Sequence, residues 1–190
     1  MELIDIYDAQ NNFKIGVKSR NEIHEKRLWH REVEAFVMNP QNEILLQKRS
    51  LNKKMSPNKW GLCGGHVSCG ESERCAVARE TNEEIGTDFK EENFVLIGVY
   101  KNVTKINQSF RYIYIVKTSK NIEEFKIQKS ELSDIRYINI EEFKEIIACK
   151  NNNYTFASKK YSKCVAESLM ENINININNR DIQLDLNPNI

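Results

Sequence analysis

The stretch from Gly65 to Thr87, GHVSCGESERCAVARETNEEIGT, constrains the fold of this chain more than any other part. It opens on glycines and enters a helical pattern near Ser72. Because residues three and four apart share one face of an α-helix, the carboxylates of this pattern should lie side by side. They belong to Glu80, Glu83 and Glu84. Like charges repel unless a cation joins them, so the pattern indicates a Mg²⁺ or Mn²⁺ site in an enzyme that acts on phosphates.

The composition of the whole chain narrows its class. At 190 residues the chain is long enough for one domain with a proper core, and its net charge of +1 gives no support for a nucleic-acid polymer as partner. The acidic start lacks the features of a secretory signal, and no apolar run reaches the length of a membrane span. Five cysteines without a CxxC pair indicate free thiols in a reducing compartment. We therefore expect a cytoplasmic protein without a membrane partner.

Alternating and amphipathic runs predict a single domain over residues 1–173. Its parts are an N-terminal β-hairpin and loop at 1–29, a core at 30–150 and a C-terminal helix at 154–173, followed by a polar tail at 174–190. The N-terminal hairpin could pair across a homodimer. The alternation of Asn and Ile in the tail fits an edge strand or a poorly ordered segment, and we favour the latter for the last few residues.

Strands and helices alternate within the predicted core. Strand-like runs occupy His30–Met38, Glu43–Gln47, Phe94–Tyr100, Phe110–Val116 and Asp134–Ile138. An amphipathic helix is predicted over Ile140–Cys149, whereas the polar segment Ser19–Trp29 reads as a loop. This interleaving favours an α/β fold with a mixed sheet between helical layers.

The spacing of fixed residues in the glycine-to-helix stretch matches the pattern G-x5-E-x7-R-E-U-x-E-E-x-G-U, where U is aliphatic. The matching residues are Gly65, Glu71, Arg79, Glu80, Glu83, Glu84 and Gly86. Thr81 and Thr87 stand in the two aliphatic places, a departure that touches packing more than metal binding. On this motif the chain resembles the Nudix family. An exposed, salt-bridged acidic helix is the alternative, but it does not explain a glycine loop at this fixed spacing.

The resemblance implies a Nudix-type α/β/α sandwich and a metal-dependent hydrolase. It makes Glu83 and Glu84 the principal ligands, Glu80 a ligand or the group that orients the attacking water, and the carbonyl of Gly64 a further ligand. The other site residues that it marks are Arg79, Gly65 and Glu71. A divalent cation would lower the pKa of a bound water and neutralise charge on a diphosphate.

A basic loop over residues 48–59 precedes the glycines. Its cations could bind phosphate oxygens, and a merely solvated loop fits the pattern equally well. The candidate phosphate-binding residues are Lys48, Arg49, Lys53 and Lys54. Glu131 stands before a predicted strand, where Nudix enzymes often carry an additional glutamate, and Glu123 and Glu124 compete for that role.

The match extends beyond the motif, and over about residues 2 to 150 the chain resembles Nudix proteins related to isopentenyl-diphosphate isomerase. The matching segments read WHREVEAFVMN, ILLQKRS and NKWGLCGGHVSCGES. That isomerase binds a metal through three histidines and two glutamates. His30 and His66 fall on two of the histidine places, and His24 lies one residue out of register with the third. The resemblance marks them as candidates for a second metal site, although a histidine that only forms hydrogen bonds fits each place equally.

The proton-transfer residues of the isomerase are missing from this chain. Its cysteine place holds Gly64, and its glutamate pair falls on Asn107 and Ser109, which cannot act as carboxylic acids or bases. Because the hydrolase motif is intact, we predict Mg²⁺- or Mn²⁺-dependent hydrolysis of a diphosphate in a nucleoside diphosphate derivative or similar small organic diphosphate. An isomerase-like enzyme and a non-catalytic diphosphate-binding regulator are the alternatives.

Overall fold

A mixed sheet of ten strands organises the computed structural model, which describes residues 2–149, 152–155, 169 and 185–186. The strands of this described part are β1 (Leu3–Tyr7), β2 (Lys14–Ser19), β3 (His30–Met38), β4 (Ile44–Arg49), β5 (Trp60–Gly61), β6 (Cys63–His66), β7 (Val95–Val103), β8 (Gln108–Lys117), β9 (Leu132–Ile138) and β10 (Asp185–Leu186). The α-helices are α1 (Arg20–Lys26), α2 (Glu73–Ile85) and α3 (Ile140–Ala148). The predicted α/β class with a mixed sheet is confirmed.

Strand β3 lies at the centre of the strand pairing. It runs parallel to β8 and antiparallel to β1, β4 and β6, while β4 also pairs with β5 and β9. His30 lies opposite Ser109 on β8, and Glu32 lies opposite both Arg111 on β8 and His66 on β6. This register brings residues that are far apart in sequence to one end of β3.

The alternation of side chains along β3 separates two hydrophobic clusters. The odd-numbered residues of the segment Val33–Val37 pack in one cluster with the buried face of α2. Phe36 and Met38 pack in the other cluster with α3. Glu32 and Glu34 share the face of Phe36, so they lie on the side of the sheet opposite to α2.

Helix α2 begins and ends at residues typical of helix caps. The Ser72 side chain accepts a hydrogen bond from the backbone N–H of Cys75, which agrees with the predicted start. At the other end Gly86 is left-handed, with φ 66°, and its N–H donates to the carbonyl of Asn82. Thr81, in an aliphatic place of the motif, is fully buried.

The loop predicted over Ser19–Trp29 is wrong, because residues 20–26 form helix α1. Ser19 caps its first turn, and Arg27 ends it in a left-handed conformation with φ 52°. Ile23 is the one buried residue of this helix. Seven residues with a single buried apolar side chain have no helical period that sequence analysis could detect.

The predicted domain boundaries stay a prediction, whereas one element near the N-terminus can be compared with the structure. The predicted hairpin is confirmed as β1 and β2, and β2 lies at one end of the strand order with Ile15 and Val17 exposed. The homodimer contact suggested for this hairpin stays a prediction. The predicted helix at 154–173 and tail at 174–190 lie largely outside the described residues, apart from β10, which runs parallel to β7. None of the described helices combines the length and apolar character needed to span a membrane.

Phe36 is a central residue of the core, since it is fully buried and contacts Phe143 edge to face at 5.6 Å between ring centroids. We expect Phe36→Ala to lower the free energy of unfolding by about 3–5 kcal/mol, because the truncation leaves a cavity. Urea denaturation followed by tryptophan fluorescence measures this change. Phe13→Ala is the matched control, since Phe13 is 69% exposed. Equal losses in the two variants would contradict the assignment of the core.

Candidate active site

The carboxylates of α2 lie in three different environments. Glu84 is buried, and its carboxylate accepts a hydrogen bond from the backbone N–H of Gly64 at 3.2 Å. Glu80 is partly buried against Gly65, where an added Cβ would lie 2.3 Å from the Glu80 carboxyl carbon. The Glu83 side chain is 57% exposed. Gly65 therefore makes room for the carboxylate of Glu80, and Gly64 binds that of Glu84 through its backbone N–H.

Burial makes these carboxylates hard to ionise together. It raises the pKa of Glu84 to about 8, with a further contribution from the nearby Glu80 carboxylate. Burial also raises the pKa of Glu80, against the opposing effect of Arg79. Buried carboxylates of this kind keep their charge when a cation joins them, and carboxylate oxygens are the ligands that Mg²⁺ and Mn²⁺ prefer. The residues present therefore fit a divalent cation.

Arg79 connects the glycine loop to helix α2. Its guanidinium donates to both oxygens of Glu71, at 2.9 and 3.0 Å, and to Glu80 Oε1 at 2.9 Å. It also donates to the carbonyl of His66 at 3.2 Å. The bidentate pair of Arg79 with Glu71 fixes both side chains in one geometry. Arg79 therefore holds the loop and the carboxylates in register.

The candidate phosphate-binding cations of the basic loop lie in different places. Arg49 lines a cavity beside Gly64, and its charge opposes the rise in the pKa of Glu84. Lys48 lies over the ring of Trp60 at 5.6 Å, and Lys54 is exposed outside the cavity lining. Arg49 is the member of the predicted set that the fold brings to the carboxylates.

Glu131, the predicted additional glutamate, forms an ion pair with Lys53 of the basic loop. The backbone N–H of Ser50 also donates to its carbonyl at 2.8 Å. Its competitors Glu123 and Glu124 are exposed in a short 3₁₀-helix, Ile122–Glu124. The contacts of Glu131 tie the basic loop to the start of β9, and its role in metal binding or catalysis stays a prediction.

The three histidines meet in one cluster. The Nε2 atoms of His24 and His66 are 3.2 Å apart, and all three ring centroids lie 5.2 to 5.6 Å from one another. Nδ1 of His30 lies 2.9 Å from the carbonyl oxygen of Leu28, which can only accept a hydrogen bond. Nδ1 of His30 therefore donates this bond, and its Nε2 has no hydrogen-bond partner among the described residues.

Glu32 joins this cluster, although sequence analysis did not select it. Its Oε1 lies 3.5 Å from Nε2 of His30 and 3.9 Å from Nε2 of His66. These three residues offer ligand atoms that all lie within 4.8 Å of one another. The signal that could have found Glu32 is its position two residues after His30 on a strand, which places both side chains on one face.

The residues in the isomerase's glutamate places bind Glu32. Ser109 donates from its hydroxyl to Glu32 Oε2 at 2.8 Å, and Asn107 donates from its amide to Oε1 at 2.9 Å. Arg111 donates to Oε2 at 2.9 Å. Although burial opposes ionisation, the Arg111 guanidinium holds the pKa of Glu32 well below its usual range. A carboxylate from β3 thus occupies the place between β8 and the histidines.

A cavity of about 390 Å³ adjoins both clusters. Gly64 and Gly65 line the side next to Glu80 and Glu84, and His24 and His66 also line it. Its other polar lining side chains include Arg20, Glu32, Glu34, Gln47, Arg49 and Arg111. Sequence analysis missed Glu34, Gln47 and Arg111, because strand pairing between distant segments brings them here. Arg20 and Arg49 bring cationic side chains to this cavity, whereas Arg111 is ion-paired with Glu32.

Comparison with known sequences identifies the family. The family model of the NUDIX domain matches residues 28–158. An uncharacterized Nudix hydrolase of Clostridium acetobutylicum is 34% identical over 149 residues, which cover 74% of this chain and 71% of that protein. Isopentenyl-diphosphate Delta-isomerase 2 of Photorhabdus laumondii is 29% identical over 163 residues, covering 84% and 89%.

Comparison with solved structures agrees at the level of the fold. The crystal structure of a MutT protein from Methanosarcina mazei superimposes with a TM-score of 0.60 at 20% identity, over 76% of this chain and 95% of that one. The matched domain model, the similar hydrolase and the motif on α2 all point to one family. The chain belongs to the Nudix family and is a hydrolase that acts on diphosphate compounds.

Proposed function

We propose that this hydrolase cleaves the diphosphate linkage of a nucleoside diphosphate derivative. The observation that carries the proposal is the pair of carboxylates, Glu80 and Glu84, packed against Gly65 and Gly64 beside the cavity. These two residues, with Glu83 and the carbonyl of Gly64, would hold Mg²⁺ or Mn²⁺. When bound, the cation would neutralise charge on the diphosphate and lower the pKa of a water molecule.

The residues around the carboxylates contribute binding and positioning. Arg49 lines the cavity next to the glycines and can bind a diphosphate oxygen there. Arg79 keeps Glu80 oriented through its bonds to Glu71 and Glu80. Arg20 lines the same cavity and offers a further anion contact. The substrate's phosphates would thus lie between the carboxylates and the arginines.

Two positions disfavour the isomerase activity that the name of the Photorhabdus relative raises. An added Cβ on Gly64 would lie 2.2 Å from the backbone carbonyl oxygen of Val33, so a cysteine at this position requires the main chain to move. Ser109 holds Glu32 and offers no carboxyl group. A proton-transfer pair of cysteine and glutamate has no place at these two positions.

A substrate panel tests the proposed function. We expect Mg²⁺- or Mn²⁺-dependent release of a nucleotide or sugar phosphate from a nucleoside diphosphate sugar, detected by chromatography. Isopentenyl diphosphate should undergo no double-bond migration. Migration of its double bond without cleavage of any member of the panel would overturn the proposal. Tight binding of the nucleoside diphosphate sugar without turnover would favour a non-catalytic regulator.

We also propose a second cation site formed by His30, His66 and Glu32, whose ligand atoms all lie within 4.8 Å of one another, with His24 as a further ligand next to His66. Two nitrogen ligands about 2.1 Å from one metal ion in tetrahedral geometry lie about 3.4 Å apart. The Nε2 atoms of His24 and His66 are 3.2 Å apart, close to that separation. The carbonyl of Leu28 fixes the tautomer of His30, as outer partners of ligand histidines do. Imidazole ligands of this kind favour Zn²⁺ or another transition metal over Mg²⁺.

Metal content tests this second site. After equilibration with Zn²⁺ and desalting, we expect His24→Ala to retain about one equivalent of metal less than the wild type, because the cluster loses one of its ligands. Plasma mass spectrometry measures the ratio of metal to protein. Glu92→Gln serves as the control, since Glu92 is exposed away from the cluster. Equal zinc content in His24→Ala and the wild type, with both proteins folded by circular dichroism, would contradict the site.

A further inference from the structure

Three buried oxygen atoms of the cavity lining accept no hydrogen bond from any described residue. They are Oε2 of Glu34, Oε1 of Gln47 and Oδ1 of Asn107. Buried polar atoms in native proteins nearly always have a partner, because an unpaired acceptor loses its bond to water without compensation. Three such atoms around one cavity point to a ligand that supplies donors.

The two amide groups are oriented by bonds to their nitrogen atoms. Nε2 of Gln47 donates to the carbonyl oxygen of Leu62 at 3.1 Å. Nδ2 of Asn107 donates to Oε1 of Glu32 at 2.9 Å. An amide nitrogen can only donate, so these bonds establish which end of each side chain is the oxygen. The unpaired atoms of Gln47 and Asn107 are therefore acceptors.

Glu34 adds a buried carboxylate to these acceptors. Arg111 bonds to Glu32 at 2.9 Å but lies 3.8 Å from Oε2 of Glu34, beyond hydrogen-bond distance. This guanidinium is thus closer to Glu32 than to Oε2 of Glu34. Glu34 lies opposite Gly64 in the pairing of β3 with β6, so its carboxylate is next to the glycines that line the cavity. An N–H or O–H group of a substrate bound there would give Glu34 its missing partner.

We propose that the organic part of the substrate carries N–H or O–H donors that bond to Glu34, Gln47 and Asn107. A nucleobase with an amino group and a sugar with hydroxyls both have this chemistry, whereas an isoprenoid chain has no donor. The inference rests on the proposed function and specifies its substrate class. A site that hydrogen-bonds a substrate group discriminates against analogues without that group by up to about 10⁴-fold.

The experiment compares kcat/KM for four diphosphates with Mg²⁺. They are a nucleoside diphosphate hexose, a nucleoside diphosphate methyl ester, a hexosyl methyl diphosphate and isopentenyl diphosphate. We expect isopentenyl diphosphate to be at least roughly a hundredfold poorer than the first compound. Retained activity on the methyl ester assigns the donors to the nucleoside, and retained activity on the hexosyl compound assigns them to the sugar. Either result supports the inference.

The variant Gln47→Leu tests one acceptor directly. We expect it to lower kcat/KM for the nucleoside diphosphate hexose roughly tenfold or more and to leave the value for isopentenyl diphosphate unchanged or higher. Gln41→Leu is the matched control, since Gln41 is exposed in a turn. A purely structural role of Gln47 would lower both values by one factor.

Two results overturn the inference and differ from each other. Wild-type activity on isopentenyl diphosphate equal to that on the nucleoside diphosphate hexose contradicts the requirement for donors while leaving hydrolysis intact. An equal loss on both substrates in Gln47→Leu contradicts it in the same way. Cleavage of none of the four diphosphates overturns the proposed function, and the inference falls with it.

Discussion

Glu84→Gln is expected to lower kcat for diphosphate hydrolysis by roughly 10²–10³-fold while the protein stays folded. Glutamine has the shape of glutamate, and its amide oxygen can still accept the bond from the backbone N–H of Gly64. The variant loses the negative charge with which Glu84 would hold a divalent cation. Initial rates at saturating substrate, with Mg²⁺ varied over a wide range, measure the effect.

The control for this variant is Glu123→Gln, which removes the same charge from an exposed position. It should retain the wild-type rate, and both variants should unfold at the wild-type urea concentration or above. Glu84→Gln is expected to be no less stable, since burial raises the pKa of Glu84 to about 8. A kcat of Glu84→Gln within about threefold of the wild type would remove Glu84 from the proposed metal ligands.

Gly64→Ala is expected to lower the free energy of unfolding by about 3 kcal/mol and to reduce hydrolysis in the fraction that folds. The added Cβ would lie 2.2 Å from the carbonyl oxygen of Val33 and 3.0 Å from the Cα of Glu34, both main-chain atoms. A flexible side chain could move away, but here β3 or β6 must shift. Urea denaturation gives the stability, and the rate with Mg²⁺ gives the activity.

Gly16→Ala is the matched control for Gly64→Ala. Its added Cβ would lie 3.4 Å from the side chain of Ile6, which is ordinary van der Waals contact. We therefore expect a change within about 0.5 kcal/mol. If Gly64→Ala were as stable as Gly16→Ala, the close approach of β6 to β3 would be contradicted. A cysteine at the isomerase's place would then also fit, and Gly64 would no longer disfavour isomerisation on steric grounds.

Local patterns explain why so much of the fold could be predicted from the sequence. Ser72, the flanking glycines and the spaced carboxylates predict helix α2. The strands are predicted by alternating polar and apolar residues and by β-branched side chains. Helix α1 was missed because its seven residues bury one apolar side chain, Ile23. Predictions of this kind depend on local properties, so each is right or wrong according to the pattern within its own segment.

Several residues of the cavity could not be predicted from the sequence. Glu32 and Arg111 are 79 positions apart, and the parallel register of β3 and β8 sets them side by side. No periodicity within either segment encodes that register. The same pairing puts Ser109 against Glu32. The sequence shows that Ser109 stands in a glutamate place of the isomerase, but it does not show that Glu32 of β3 brings a carboxylate there.

The histidines illustrate the same limit in another way. Aligned with the isomerase, His24 lies one residue out of register. In the fold it belongs to α1, and its Nε2 lies 3.2 Å from that of His66. Where a ring lies depends on how its helix packs, so a shift of one position in the sequence does not by itself exclude it from a cluster. Register in an alignment was a poor guide to distance here.

Isotope transfer from solvent tests the central claim, hydrolysis of a diphosphate, most directly. The enzyme is incubated with Mg²⁺ and a nucleoside diphosphate hexose in H₂¹⁸O, and the products are analysed by mass spectrometry. We predict one ¹⁸O atom in one of the two phosphate-bearing products, because water attacks phosphorus, and no such product from Glu84→Gln on the same time scale. Products without ¹⁸O, or an intact diphosphate from isopentenyl diphosphate with solvent hydrogen incorporated on carbon, would contradict the account.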